Sequence, residues 1–98
     1  MLLLNRANKV LGYTKISTGG TTGTLVDMKI IFHAALKANA QSIILAHNHP
    51  SGSLSPSEVD IALTKKVKDA GRLMDIQLLD HLILTEEGFY SFADEGMM

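Results

Sequence analysis

The sequence predicts an α/β domain, a mixed β-sheet with helices packed against it. Three observations carry this. Apolar runs of strand length alternate with stretches whose apolar residues recur at helical spacing, in the order β-β-α-β-α-β-β. The 98 residues, 1–98, make a single domain. With no cysteine and 46% hydrophobic residues, the chain relies on an ordinary apolar core rather than on disulfides. That core is modest, because a domain this small buries only about two-thirds of its unfolded surface.

Leu2-Leu3-Leu4 reads as a buried strand, and Asn5-Arg6-Ala7-Asn8 as a hairpin turn. Residues 9–18 have strand composition, with Gly12 suited to a bulge. Gly19-Gly20-Thr21-Thr22-Gly23 reads as a plain connection, since it lacks the lysine of a phosphate-binding loop. Residues 27–40 form a helical pattern. Asp27 suits its cap, Asn39 its stop, and Ile30, Ile31, Ala34, Ala35 and Ala38 its apolar face. Lys29, His33 and Lys37 lie on the opposite face, so His33 reads as solvated.

Residues 41–46 are the most apolar strand. It should be central, with both faces covered. A second helix should run from Pro56 to about Met74. Its core stripe would be Val59, Leu63, Val67, Ala70 and Met74, and its basic stripe Lys65, Lys68 and Arg72. Gly71 falls late in that helix at some cost. Residues 76–85 form another apolar strand, interrupted by Asp80-His81, a polar pair that needs partners in so apolar a run. These residues suit a structural role, or the orientation of a nearby ligand, better than direct ligation. Glu86-Glu87-Gly88 is a turn, residues 89–92 a short edge strand, and residues 93–98 a loose tail.

The chemistry concentrates between the central strand and the second helix. On an extended chain His47 and His49 point to one side, with Asn48 turned away, and Pro50 favours that backbone. Ser55-Pro56-Ser57-Glu58 reads as a helix start. Ser55 would cap, Pro56 would take the first helical position and Glu58 would complete a capping box. Ser57 and Asp60 then share a face in the first turn. Two imidazoles, one carboxylate and a free position suit a catalytic zinc, and Ser57 could hydrogen-bond a water or a developing oxyanion beside it. The plainer reading is a surface His-x-His pair beside a helix cap.

His47-x-His49, seven residues, then Ser57-x-x-Asp60 resembles the metal-binding motif of the JAMM (MPN) zinc metalloproteases. The wording His-Asn-His-Pro-Ser-Gly-x-x-x-Pro-Ser, with Leu79-Asp80-His81 later, is similar to the bacterial RadC-like branch, from about Leu3 to Phe92. The resemblance implies a cytidine-deaminase-like α/β fold. It also implies zinc ligands at His47, His49 and Asp60, and a catalytic role for Ser57 at the water or tetrahedral intermediate. In that family the general base is a glutamate just before the opening strand. Here no acidic residue precedes Asp27, so the expectation is a domain trimmed at its start and impaired as a hydrolase.

The leading expectation is therefore a zinc-dependent peptidase-type hydrolase acting on a peptide or isopeptide. A metal-binding or interaction module without turnover is the alternative. The RadC-like label also suggests DNA repair, but a formal net charge of −1 gives no electrostatic case for nucleic acid. No apolar run approaches the roughly 20 residues that span a bilayer. The absence of cysteine fits a cytoplasmic chain. Oligomeric state is left open, self-association included.

Overall fold

The computed structural model describes residues 1–16, 26–49 and 52–98. Its elements follow the expected order: β1 (Leu2–Leu4), β2 (Val10–Tyr13), α1 (Met28–Lys37), β3 (Ser42–Asn48), α2 (Glu58–Leu73), β4 (Gln77–Thr85) and β5 (Gly88–Ser91). They form one mixed α/β sheet in the order β2-β1-β3-β4-β5, with β3 in the middle as its composition requires.

The topology decides where the helices go. β2 and β3 each run antiparallel to β1, so they are parallel to one another, and β3 is parallel to β4. The connections β2–α1–β3 and β3–α2–β4 therefore step the same way across the sheet. Right-handed crossovers of that kind place both helices on the same face. The core agrees: Ile31, Phe32 and Ala35 of α1 and Val67 of α2 share one cluster with Leu3, Ile43, Leu45 and Leu78 of the sheet. The expectation that β3 is covered on both sides is corrected. On its other face Ile44 is half-buried and Ala46 exposed, and no helix of the described residues lies there.

The β1–β2 turn is closed by Asn5, whose Oδ1 accepts from the N–H groups of Ala7 and Lys9, both at 2.9 Å. Asn8 takes the left-handed conformation there, φ +60°. The register passes from Leu3–Gly12 to Leu4–Val10, so the extra residue of the bulge is Leu11, beside the glycine expected to form it. β2 ends at Tyr13 rather than near residue 18. Residues 17–25, with the glycine-rich connection, lie outside the described residues, as do Pro50 and Ser51.

α1 is capped by Asp27, whose Oδ1 accepts from Lys29 N–H at 2.8 Å. It ends at Lys37, not Ala40, because Asn39 turns left-handed, φ +57°, and Ala40 N–H bonds back to the Ala35 carbonyl at 2.9 Å. Its buried face holds Phe32 in place of Ile30, which is 48% exposed. His33 is exposed, as expected.

α2 keeps the middle of the predicted stripe, with Val67 buried and Leu63 and Ala70 packed against the core, but departs from it at both ends. Its buried residues are Asp60, Thr64, Val67 and Gly71, while Val59 and Met74 are exposed. Helical spacing is kept, but the inward positions near the start are polar because partners await them in the sheet. Gly71 is where α2 approaches the chain leading into β4. A Cβ there would overlap the Ile76 carbonyl and meet the Phe32 ring. The tail is not loose: Met97 N–H bonds to the Phe92 carbonyl at 2.8 Å, and Ala93 N–H to Asp80 Oδ1 at 3.0 Å.

Candidate metal centre

Strand alternation builds the first half of the site. Ile43, Leu45 and His47 alternate toward the helix-covered face of β3, and His49 follows just past its end. The strand runs two residues beyond Ala46, so His47 is held inside the sheet, paired in register with Ile83 of β4. The two imidazoles lie with ring centroids 4.8 Å apart.

The start of α2 builds the second half. The cap is Ser57, not Ser55, and the box is closed by Asp60, not Glu58. Ser57 N–H donates to Asp60 Oδ2 at 2.8 Å, and Asp60 N–H donates to Ser57 Oγ at 3.1 Å. Both frames offer a serine followed three residues later by an acid. The frame that forms also buries its carboxylate against the histidines: Asp60 is 8% exposed, whereas Glu58 faces solvent. Asp60 Oδ1 is 3.0 Å from His47 Nε2, and Oδ2 is 3.0 Å from His49 Nε2.

His47, His49 and Asp60 each offer one ligand atom, all within 4.8 Å of one another. Ligands about 2.0–2.1 Å from a tetrahedral zinc would sit about 3.4 Å apart, close to the 3.0 Å between Asp60 and each imidazole. Two further features fit an ion. His47 Nε2 is buried and, despite its nearness to Asp60, makes no hydrogen bond. His49 Nδ1 lies 2.9 Å from the Ser53 carbonyl. A carbonyl only accepts, so this nitrogen carries the proton and Nε2 is the nitrogen turned to the centre. An ion between the imidazoles and the carboxylate would satisfy every one of these atoms.

The electrostatics favour ligand protonation states. Burial lowers the pKa of His47, with His49 adding to that and Asp60 opposing it. Burial works against ionisation of Asp60, but hydrogen bonds from Ser57 and the adjacent imidazoles outweigh it and hold the carboxyl below its ordinary range. Neutral histidines and an ionised aspartate are what a divalent cation requires.

Asp80 and His81 divide their labour. Asp80 accepts from its neighbour His81 N–H, from Ser91 Oγ–H and from Ala93 N–H, and so fastens β5 and the tail. His81 points the other way and is 1% exposed. Its Nε2 is 2.9 Å from His47 Nδ1, its Nδ1 is 2.6 Å from Thr64 Oγ1, and its ring stacks on Phe92 at 4.8 Å. Burial first, then the neighbouring His47, lowers its pKa to about 4. Thr64 was not singled out by the sequence. The available signal was a hydroxyl four residues after Asp60, on the same helical face.

The chain is similar to known proteins along its whole length. A family model described as a RadC-like JAB domain matches residues 1–97. A UPF0758 protein of Flavobacterium johnsoniae is 50% identical over 97 residues, covering 99% of this chain and 42% of the relative. One from Porphyromonas gingivalis is 46% identical over 99 residues, covering 100% and 44%. One from Geotalea uraniireducens is 41% identical over 97 residues, covering 99% and 42%. The chain thus spans less than half the length of these curated relatives.

Proposed function

The chain belongs to the RadC-like JAB domain family, and from that premise we propose that it carries the zinc site of a metallopeptidase-type hydrolase whose substrates are peptides or isopeptides. The observation that carries this reading is the convergence of His47, His49 and Asp60, with the Nε2 of His47 buried and without a hydrogen bond. A zinc held there would act as a Lewis acid and lower the pKa of a water toward about 7.

The chain's own residues would do the rest. His47 and His49 present neutral nitrogens from a strand that cannot swing away, and Asp60 supplies the compensating charge. Ser57 is the catalytic candidate. Its Oγ accepts from Asp60 N–H, which leaves its own proton to donate toward a carbonyl oxygen that gains charge. Asp60 is the only carboxylate of the group and is committed as ligand and cap, so it is a poor general base. That favours a second reading for this stretch by itself, a metal-binding module with little turnover. The formal net charge of −1 argues against nucleic acid, and a cytoplasmic location remains part of the same reading.

Metal analysis tests the core of it. Protein purified without chelator should hold about one zinc per chain. The double variant His47→Ala, His49→Ala should hold none, and unchanged metal content in it would refute the ligand set.

A further inference from the structure

We propose that His81 is a positioning residue, and that the chain of contacts Thr64–His81–His47 fixes the tautomer of His47 so that its Nε2 is the unprotonated, ion-facing nitrogen. The inference rests on the metal-site reading above and adds to it how one ligand is prepared before any ion arrives.

Thr64 anchors the relay in α2. Thr64 Oγ1 lies 2.8 Å from the Asp60 carbonyl, one turn earlier in α2. A backbone carbonyl only accepts, and in the proposed relay the hydroxyl donates its one proton there rather than to His81. Thr64 Oγ1 can then only accept from its other neighbour, the His81 Nδ1 at 2.6 Å, and His81 carries its proton on Nδ1. A neutral imidazole has one proton, which leaves His81 Nε2 bare. That bare nitrogen faces His47 Nδ1 at 2.9 Å, so His47 must donate from Nδ1, and its own Nε2 is left as a lone pair. The opposite order would need His47 Nε2 to donate to Asp60 Oδ1, 3.0 Å away, and that contact does not have the geometry of a hydrogen bond: this nitrogen is buried without one.

The two ligand histidines are thus prepared by different means. His49 is set locally, by the Ser53 carbonyl four residues away. His47 is set across the fold, by a histidine 34 residues later in β4 and a threonine in α2. The stacked Phe92 ring keeps His81 in the plane this requires, 9° from parallel. With both side chains of the relay buried, water has no access to substitute for either partner. Outer partners of this kind are commonly worth about 10–100-fold in metal affinity.

The test reads tautomers directly. NMR of the histidine ring nitrogens, on chelator-treated protein above neutral pH, should show His47 protonated at Nδ1 and bare at Nε2. Thr64→Val keeps the shape and removes the hydroxyl. In it His47 should become a mixture of tautomers while His49 is unchanged, and zinc affinity should fall about 10–100-fold. Thr64→Ser should restore both. His81→Phe, which keeps the stack on Phe92, should weaken zinc to a similar extent. His47 protonated at Nε2 in the unaltered protein would overturn the proposal, even if no variant folds. So would folded Thr64→Val and His81→Phe proteins with unchanged zinc affinity. Absence of zinc binding by the unaltered protein, with the stated tautomers observed, would instead count against the metal-site reading while leaving the relay supported.

Discussion

Asp60 performs two tasks with one carboxylate: it closes the first turn of α2 and faces both imidazoles. The tasks can be separated. Asp60→Asn keeps an oxygen for Ser57 N–H but removes the charge, so it should abolish zinc binding and lower stability by less than about 1 kcal/mol. Calorimetric zinc titration beside urea unfolding checks both halves. His81 makes a second prediction at this scale. Its folded pKa, about 4, lies below the ordinary 6.5, so the unfolded chain takes up a proton that the folded one refuses as pH falls through this interval. Stability should be intact above about pH 6.5 and decline by on the order of 3 kcal/mol toward pH 4. The lowered pKa of His47 acts in the same direction, and that of Asp60 adds its loss only below its ordinary 3.8. Urea unfolding of chelator-treated protein across that range should show the decline, and His81→Phe should flatten it.

At the scale of elements, α2 carries two predictions. Glycine in a helix interior is usually inferior to alanine by about 1 kcal/mol. At Gly71 the sign should reverse, because a methyl group would strike the Ile76 carbonyl oxygen, 2.3 Å from where its carbon would sit. Gly71→Ala should destabilise by about 1–3 kcal/mol in urea unfolding. On the exposed side, Lys65 is paired with Asp69 at 3.0 Å, which dilutes the basic stripe. Duplex DNA affinity should be no better than the non-specific range of about 10⁻⁴–10⁻⁶ M at physiological salt. A titration in which replacing Lys65, Lys68 and Arg72 by alanine abolishes tighter binding would restore the repair reading. α2 also marks the limit of what its sequence makes legible. Its existence and the core face of its middle follow from periodicity, but the polar inward positions near its start do not. Apolarity alone favours inward apolar side chains, whereas Asp60 turns inward onto His47 and His49, and Thr64 onto His81. Such compensation depends on strands far away in the chain. The cluster was legible for the opposite reason: strand and helix spacing bring His47, His49, Ser57 and Asp60 together.

For the whole molecule, the arrangement of strands was readable as an order but not as a placement. Nothing local says that both helices share a face; that follows from the directions of β2, β3 and β4 together. The site depends on the same assembly, since β3, α2 and β4 each supply part of it. Activity should follow the same logic. Loaded with zinc, the described residues should hydrolyse peptides slowly, since Asp60 is committed as ligand and cap and a positioned acid–base is worth about 10²–10⁴-fold. A substantial rate in a peptidase assay of the zinc-loaded chain would place the base among these residues.

The shared role of Asp60 also has a kinetic consequence. The carboxylate that would grip the ion is the one that latches the first turn of α2, so the ion could leave quickly only when that turn frays. Release would then be gated by local opening at a helix end, among the least costly motions a fold allows. Slowed hydrogen exchange at Asp60 and Ile61 N–H on zinc loading, matching the slow step of ion release, would be its signature.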